Sequence, residues 1–163
     1  MSNSTTVSWG QFEEQAPELA ERIRLRFESH LHVVMATLRR DGSPRLSGME
    51  APIRDGHLWL GMMPDSLKVA DLQRDPRFAL YSSPDTEELL FGDARIDGRA
   101  VPATTAEVDL FAVGHRTHID DPHNAMVLFT ARISRTTLTR VDGQELLFES
   151  WTPIDGLQEI RRN

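Results

Sequence analysis

The feature that most constrains this chain is an Asp-Gly pair repeated between apolar, β-branched runs. HVVMATL (His32–Leu38) is followed by RRDGSP, with Asp41-Gly42 at its centre. RLSGMEAPI follows, then Arg54-Asp55-Gly56, then HLWLGMM. Asp-Gly supplies the positive φ angles that a tight hairpin needs if its turn is to match the right-handed twist of its strands. Three strands joined by two such turns form an antiparallel meander. A third pair, Asp142-Gly143, predicts another hairpin near the end of the chain.

The remaining segments fit around that meander. Residues 1–10 are polar and are expected to form a flexible tail, with a single domain over 11–163. QFEEQAPELAERIRLRFES (Gln11–Ser29) reads as helix, with Phe12, Leu19, Ile23 and Phe27 near helical spacing. Pro17 places the start of its main part, since proline is tolerated in a first turn. SLKVADLQR predicts a short helix and RFALYSS a strand. LLFGDARIDGRAVPA contains a long strand whose glycines suggest bends. TTAEVDLFAVG opens on cap residues and ends on Gly114, which predicts another helix. AMVLFTARI, TTLTRV and ELLFESW read as closing strands. No βαβ rhythm appears, so the expected class is α+β, mainly β, with an antiparallel sheet closing into a barrel.

Composition narrows the function. The net charge is −7 over 163 residues, which argues against a nucleic-acid surface. With no cysteine, disulfides and thiol catalysis are excluded, and zinc would have to rely on His and carboxylates. No apolar run approaches bilayer length. The start, MSNSTTVSWGQFEE, has neither a basic n-region nor an apolar h-region, so no signal peptide and a cytoplasmic location are expected. Gly-x-Ser-x-Gly, Gly-x-Gly-x-x-Gly and P-loop patterns are absent.

Three stretches carry chemistry. In PDSLKVADLQRDPR (Pro64–Arg77), Asp65 or Ser66 can cap the helix, whose N–H groups and dipole attract anions. Lys68 in that first turn is disfavoured by the dipole, so it fits best beside a bound anion; the plainer reading is a solvated lysine. HRTHIDDPH offers His115, His118, Asp120, Asp121 and His123 as possible cation ligands or simply as a polar loop. His30 and His32, at a helix-to-strand junction, could ligate haem or only face solvent. Met62, Met63, Trp59 and Trp151 read as core or interface.

Taken together, these segments resemble the pyridoxamine 5′-phosphate oxidase-like flavin-binding split barrels. The resemblance is carried by ATLRRDGSPRLSGMEAPIRDGHLWLGMMPDSLKVADLQRDPRFALYSS (Ala36–Ser83), with support from GDARIDGRAV and TLTRVDGQELLFESW. It implies a six-stranded antiparallel split β-barrel of Greek-key type, with an N-terminal helix and short flanking helices. It also implies a homodimer with FMN at the subunit interface and hydride transfer to or from a small organic substrate. By the same resemblance, Ser66 and Lys68 meet the cofactor phosphate from the helix turn, and Ser47 and Gly48 from the second strand. Met62 and Met63 pass the ribityl chain and ring.

Oxidases of the family commonly carry arginines where this chain has Ser47 and Leu67. Arg45, two residues along the same strand face, is the expected substitute. The C-terminal Arg-x-His substrate signature is missing, so a true pyridoxamine phosphate oxidase is not implied. An 8-hydroxy-5-deazaflavin coenzyme in place of FMN is compatible with this arrangement. A non-catalytic flavin- or haem-binding barrel is the alternative.

Overall fold

The computed structural model describes residues 5–83, 86, 87 and 89–163. Two helices lead: α1 (Trp9–Gln15) and α2 (Pro17–Glu28). The meander follows as β1 (Val33–Leu38), β2 (Pro44–Met49), β3 (Ile53–Arg54) and β4 (His57–Met62). Next come α3 (Leu67–Arg74), β5 (Arg77–Tyr81), β6 (Asp93–Pro102), α4 (Thr105–Val113) and α5 (Pro122–Ala125). The chain closes with β7 (Val127–Asp142), β8 (Glu145–Thr152) and β9 (Gly156–Arg162).

The strands form one antiparallel sheet in the order β2-β1-β5-β6-β7-β4-β3, with β8 on β7 and β9 on β8. The mainly β class and the split-barrel character hold. The expectations of six strands and of closure need correcting: among the described residues there are nine strands, and the path ends at β2 on one side and at the two-residue β3 on the other. AMVLFTARI and TTLTRV are not separate strands but one 16-residue strand, β7. Its first residues pair with β4, its middle with β6 and its end with β8. A bulge at Asp97/Gly98 lets it bend. Gly98 is required there, because a Cβ would meet the Arg132 carbonyl oxygen at 2.3 Å.

The Asp-Gly turns form as the sequence predicts. Asp55 and Gly56 both have positive φ (55° and 72°), the signature of a type I′ turn joining β3 to β4. Gly42 (φ 83°) follows Asp41, whose carboxylate accepts from the Ser43 N–H.

Residues 7–10 pack on the fold instead of belonging to the tail expected through residue 10; residues 1–4 lie outside the described residues. Val7 bridges Ile133, and Ser8 caps α1 in a capping box with Gln11. Trp9 and Phe12 are fully buried, stacking edge to face at 5.4 Å. Together with α2 they cover one mouth of the sheet, and a single apolar cluster runs from Val7 to Trp151.

A smaller cluster of Trp59, Phe111 and Leu128 seats α4 against β4 and β7. Arg54 fixes the end of α4. Its guanidinium donates to the Phe111 carbonyl and lies 4.8 Å from the Phe111 ring centroid.

Candidate functional site

The turn out of β4 builds the site. Met62 is buried, and the next three residues turn outward. The Ser66 N–H donates to the Met63 carbonyl at 3.1 Å, which sets the start of α3. Ser66 is the N-cap by backbone conformation, yet its side chain makes no capping bond. Val69 and Leu72 pin α3 beneath β1. The helix N-terminus therefore comes to rest beside β2, where Lys68 Nζ donates to the Gly48 carbonyl at 3.2 Å.

A cleft of about 440 Å³ opens at this junction. Gly48, Met62, Met63, Ser66 and Lys68 all line it. So five of the seven residues expected to meet a cofactor converge on one concave surface, though they come from β2, β4 and α3. The far wall is Phe111, His115 and Met126, held by the α4 cluster. Neither Phe111 nor Met126 carried a local sequence signal; a helix and a strand start 15 residues apart bring them together.

Ser47 and Arg45 do not line the cleft. Ser47 pairs with Met35 and faces inward on β2. Its hydroxyl is buried without a hydrogen-bond partner, and so is that of Ser66. Leaving such a group unsatisfied costs about 1–3 kcal/mol; Trp9 Nε1 and Thr136 Oγ1 are also buried without a partner, but only Ser66 among them lines the cleft. Burial also lowers the Lys68 pKa, because desolvation disfavours its ammonium form.

Arg45 is engaged elsewhere. Its Nε donates to Asp71 Oδ2 at 2.7 Å. Thr37 Oγ1 donates to the same oxygen at 2.9 Å, and Arg74 Nη2 reaches Oδ1 at 3.3 Å. Burial alone would raise the Asp71 pKa, but these hydrogen bonds outweigh it and hold the carboxyl below its usual range. Arg45 thus serves first to anchor α3.

The other candidate ligands separate. His123 Nε2 lies 2.8 Å from Asp109, the exposed His118 lies 3.0 Å from Asp120, and His115 Nδ1 lies 2.8 Å from the Thr117 carbonyl oxygen. Among the described residues no group of three or more His, Cys, Asp or Glu side chains converges as a metal site would require. His32 lines the cleft opposite His115, while His30 borders a separate groove of about 180 Å³. Trp59 and Trp151 are both core.

A cofactor phosphate fits the residues present. Lys68 offers a cation, Ser66 offers an unengaged hydroxyl, α3 offers its N-terminal peptide groups, and the unengaged hydroxyl of Ser47 lies behind Gly48. Leu67, between Ser66 and Lys68, is 63% exposed and adds no polar contact.

Residues 19–121 match the family model for pyridoxamine 5′-phosphate oxidase. No curated protein matches the chain. Among solved structures, a haem-binding protein from Mycobacterium smegmatis is similar at 20% identity and a TM-score of 0.63, over 82% of this chain and 57% of that one. The chain thus spans little more than half of that protein. PhzG from Burkholderia lata 383, solved with tetrahydrophenazine-1-carboxylic acid, is similar at 11% identity and a TM-score of 0.65, over 94% and 91%. A Clostridium acetobutylicum protein related to general stress protein 26 of B. subtilis gives 19% identity and a TM-score of 0.53, over 83% and 94%.

Proposed function

The chain belongs to the pyridoxamine 5′-phosphate oxidase family, and on that premise we propose that it binds a flavin beside α3 and transfers hydride between that flavin and a small organic substrate. The observation that carries this reading is the buried, unpartnered hydroxyl of Ser66 on the same cleft as Lys68, with a second such hydroxyl on Ser47, next to the Gly48 whose carbonyl Lys68 contacts. A phosphate in the cleft would accept hydrogen bonds from Lys68 and Ser66, and from Ser47 once its hydroxyl turns from the inner face of β2 toward the cleft.

FMN is the first choice of cofactor and an 8-hydroxy-5-deazaflavin coenzyme the second. When bound, either supplies the hydride chemistry. The protein's own contribution is to hold the phosphate through Ser66, Lys68 and Ser47 and to bring the Gly48, Met62 and Met63 region against the rest of the cofactor. The cleft is open, which suits completion by a second copy. Leu46 (70% exposed), Val34 and Tyr81 give β2, β1 and β5 an exposed apolar face for that dimer. Among the described residues no helix is long and apolar enough to cross a membrane, and we place the protein in the cytoplasm.

Titration of the purified protein with FMN and with the deazaflavin coenzyme tests the reading. Lys68→Ala should weaken the preferred cofactor roughly 10- to 100-fold, the worth of a charged hydrogen bond. Equal affinities in wild type and variant would sink the assignment. One observation favours a second reading, a non-catalytic haem carrier: His32 and His115 both line the cleft. It requires a Soret band that disappears in His32→Ala or His115→Ala.

A further inference from the structure

A larger cleft, of about 820 Å³, lies at the opposite end of α3, between its C-terminus, β6 and the start of β7. Its apolar lining includes Leu72, Phe129, Val101 and Pro102. Its charged edge is unusual. Arg77 on β5 pairs in register with Arg99 on β6, and Arg99 pairs with Arg132 on β7. Directly paired residues share a sheet face, so three arginines stand in one row across three adjacent strands. Like charges directly opposite one another destabilise a sheet. The protein as a whole carries a net charge of −7, so a basic row here is not a general property of its surface.

The nearby carboxylates do not account for the row. Asp75 pairs with Arg77 at 2.6 Å, and the Arg99 charge acts on it from farther away. Glu107 lines the cleft but is tied to its own helix cap, accepting from the Thr104 N–H at 2.7 Å. Arg132 donates to the Thr6 carbonyl at 3.3 Å. Among the described residues, neither Arg99 nor Arg132 has a carboxylate at salt-bridge distance. These two are also the arginines that line the cleft.

We propose that this cleft is a second ligand site, distinct from the one at the N-terminus of α3, and that it takes a small organic anion. The carboxylate or phosphate of the ligand would bridge Arg99 and Arg132, and its apolar body would lie on the exposed Val101 and Pro102. Arginine suits this role, since its planar fork matches both oxyanions.

The test uses the full chain with phenyl phosphate and benzoate, and with phenol and inorganic phosphate as controls. Binding is read by calorimetric titration and by the rise in Tm. At least one of the two aromatic anions should bind saturably and more tightly than either control, and which one does so identifies the oxyanion. Binding should persist in Lys68→Ala, which disables the other phosphate site. It should weaken about 10-fold or more in Arg99→Gln/Arg132→Gln. Arg99→Gln alone alters an exposed side chain and keeps the test available if the double variant misfolds.

Absence of saturable binding overturns the proposal. So does binding that disappears in Lys68→Ala yet survives the arginine changes, or inorganic phosphate binding as tightly as the aromatic anions.

Discussion

Two polar clusters sit near the same short helix and differ in one respect. Around Asp71, on the inner face of α3, every strong group is engaged: the carboxylate accepts from Arg45, Thr37 and Arg74. At the N-terminus of α3, one turn away, the hydroxyls of Ser66 and Ser47 are buried and engage nothing. A third cluster resembles the first. Glu149 on β8 accepts from both terminal nitrogens of Arg22 at 2.5 Å and from Arg140 Nε at 3.2 Å. Saturated clusters hold elements together, whereas an unsaturated one is what a ligand completes. Trp9 Nε1 and Thr136 Oγ1 are also buried without a partner; what sets Ser66 apart is that it lines the cleft with Lys68.

The largest expected effect comes from breaking a saturated cluster. Glu149→Ala or Asp71→Ala leaves two arginines facing each other without their counter-charge. We expect a loss of about 2–3 kcal/mol, less than for a fully buried pair because the arginines keep part of their surface in water. For a chain of this length that is a fall in Tm of roughly 5–10 °C, measurable by thermal melting. A loss below about 0.5 kcal/mol would remove the distinction between the clusters.

Acid should expose the same groups. Burial raises the Glu149 pKa, but hydrogen bonds and charge from Arg22 and Arg140 outweigh it, so Glu149, like Asp71, lies below its ordinary value. A carboxyl lowered in the folded state binds fewer protons than in the unfolded chain. Its contribution is therefore complete above the unfolded value, about pH 4, and is lost as pH falls through the folded one. Melting curves should decline below about pH 4, and the decline should be shallower in Asp71→Asn and Glu149→Gln. An unchanged acid limb in both variants would contradict the assignment.

The hairpins were legible because Asp-Gly encodes its backbone angles locally, and the start of α3 at Ser66 was legible because turn chemistry is local too. What escaped was non-local. Arg45 was expected at a phosphate, but its partner Asp71 lies 26 residues away on another element. The continuity of β7 was hidden because the bulge opposite Gly98 interrupts its inside-outside alternation. β9 carries no buried residue and so shows no apolar period. At the N-terminus the signal was present but short: Ser8 and Gln11 spell a capping box just ahead of Phe12.

The smallest expected effect is at the orphaned hydroxyls, and it is also the most informative. Ser66→Ala removes a cap side chain that makes no capping bond, and Ser47→Ala removes a buried oxygen that has no partner. Without cofactor, Ser47→Ala/Ser66→Ala should melt within about 1 kcal/mol of wild type, or slightly above it. With FMN, or with the deazaflavin coenzyme if that is the one preferred, its affinity should fall at least about 10-fold. The decisive measurement is this pair of numbers on one variant, apo stability by thermal melting and cofactor affinity by titration. Stability kept and affinity lost is the result expected of a phosphate site. Stability lost with affinity kept would show that the two serines serve the fold and would contradict the account.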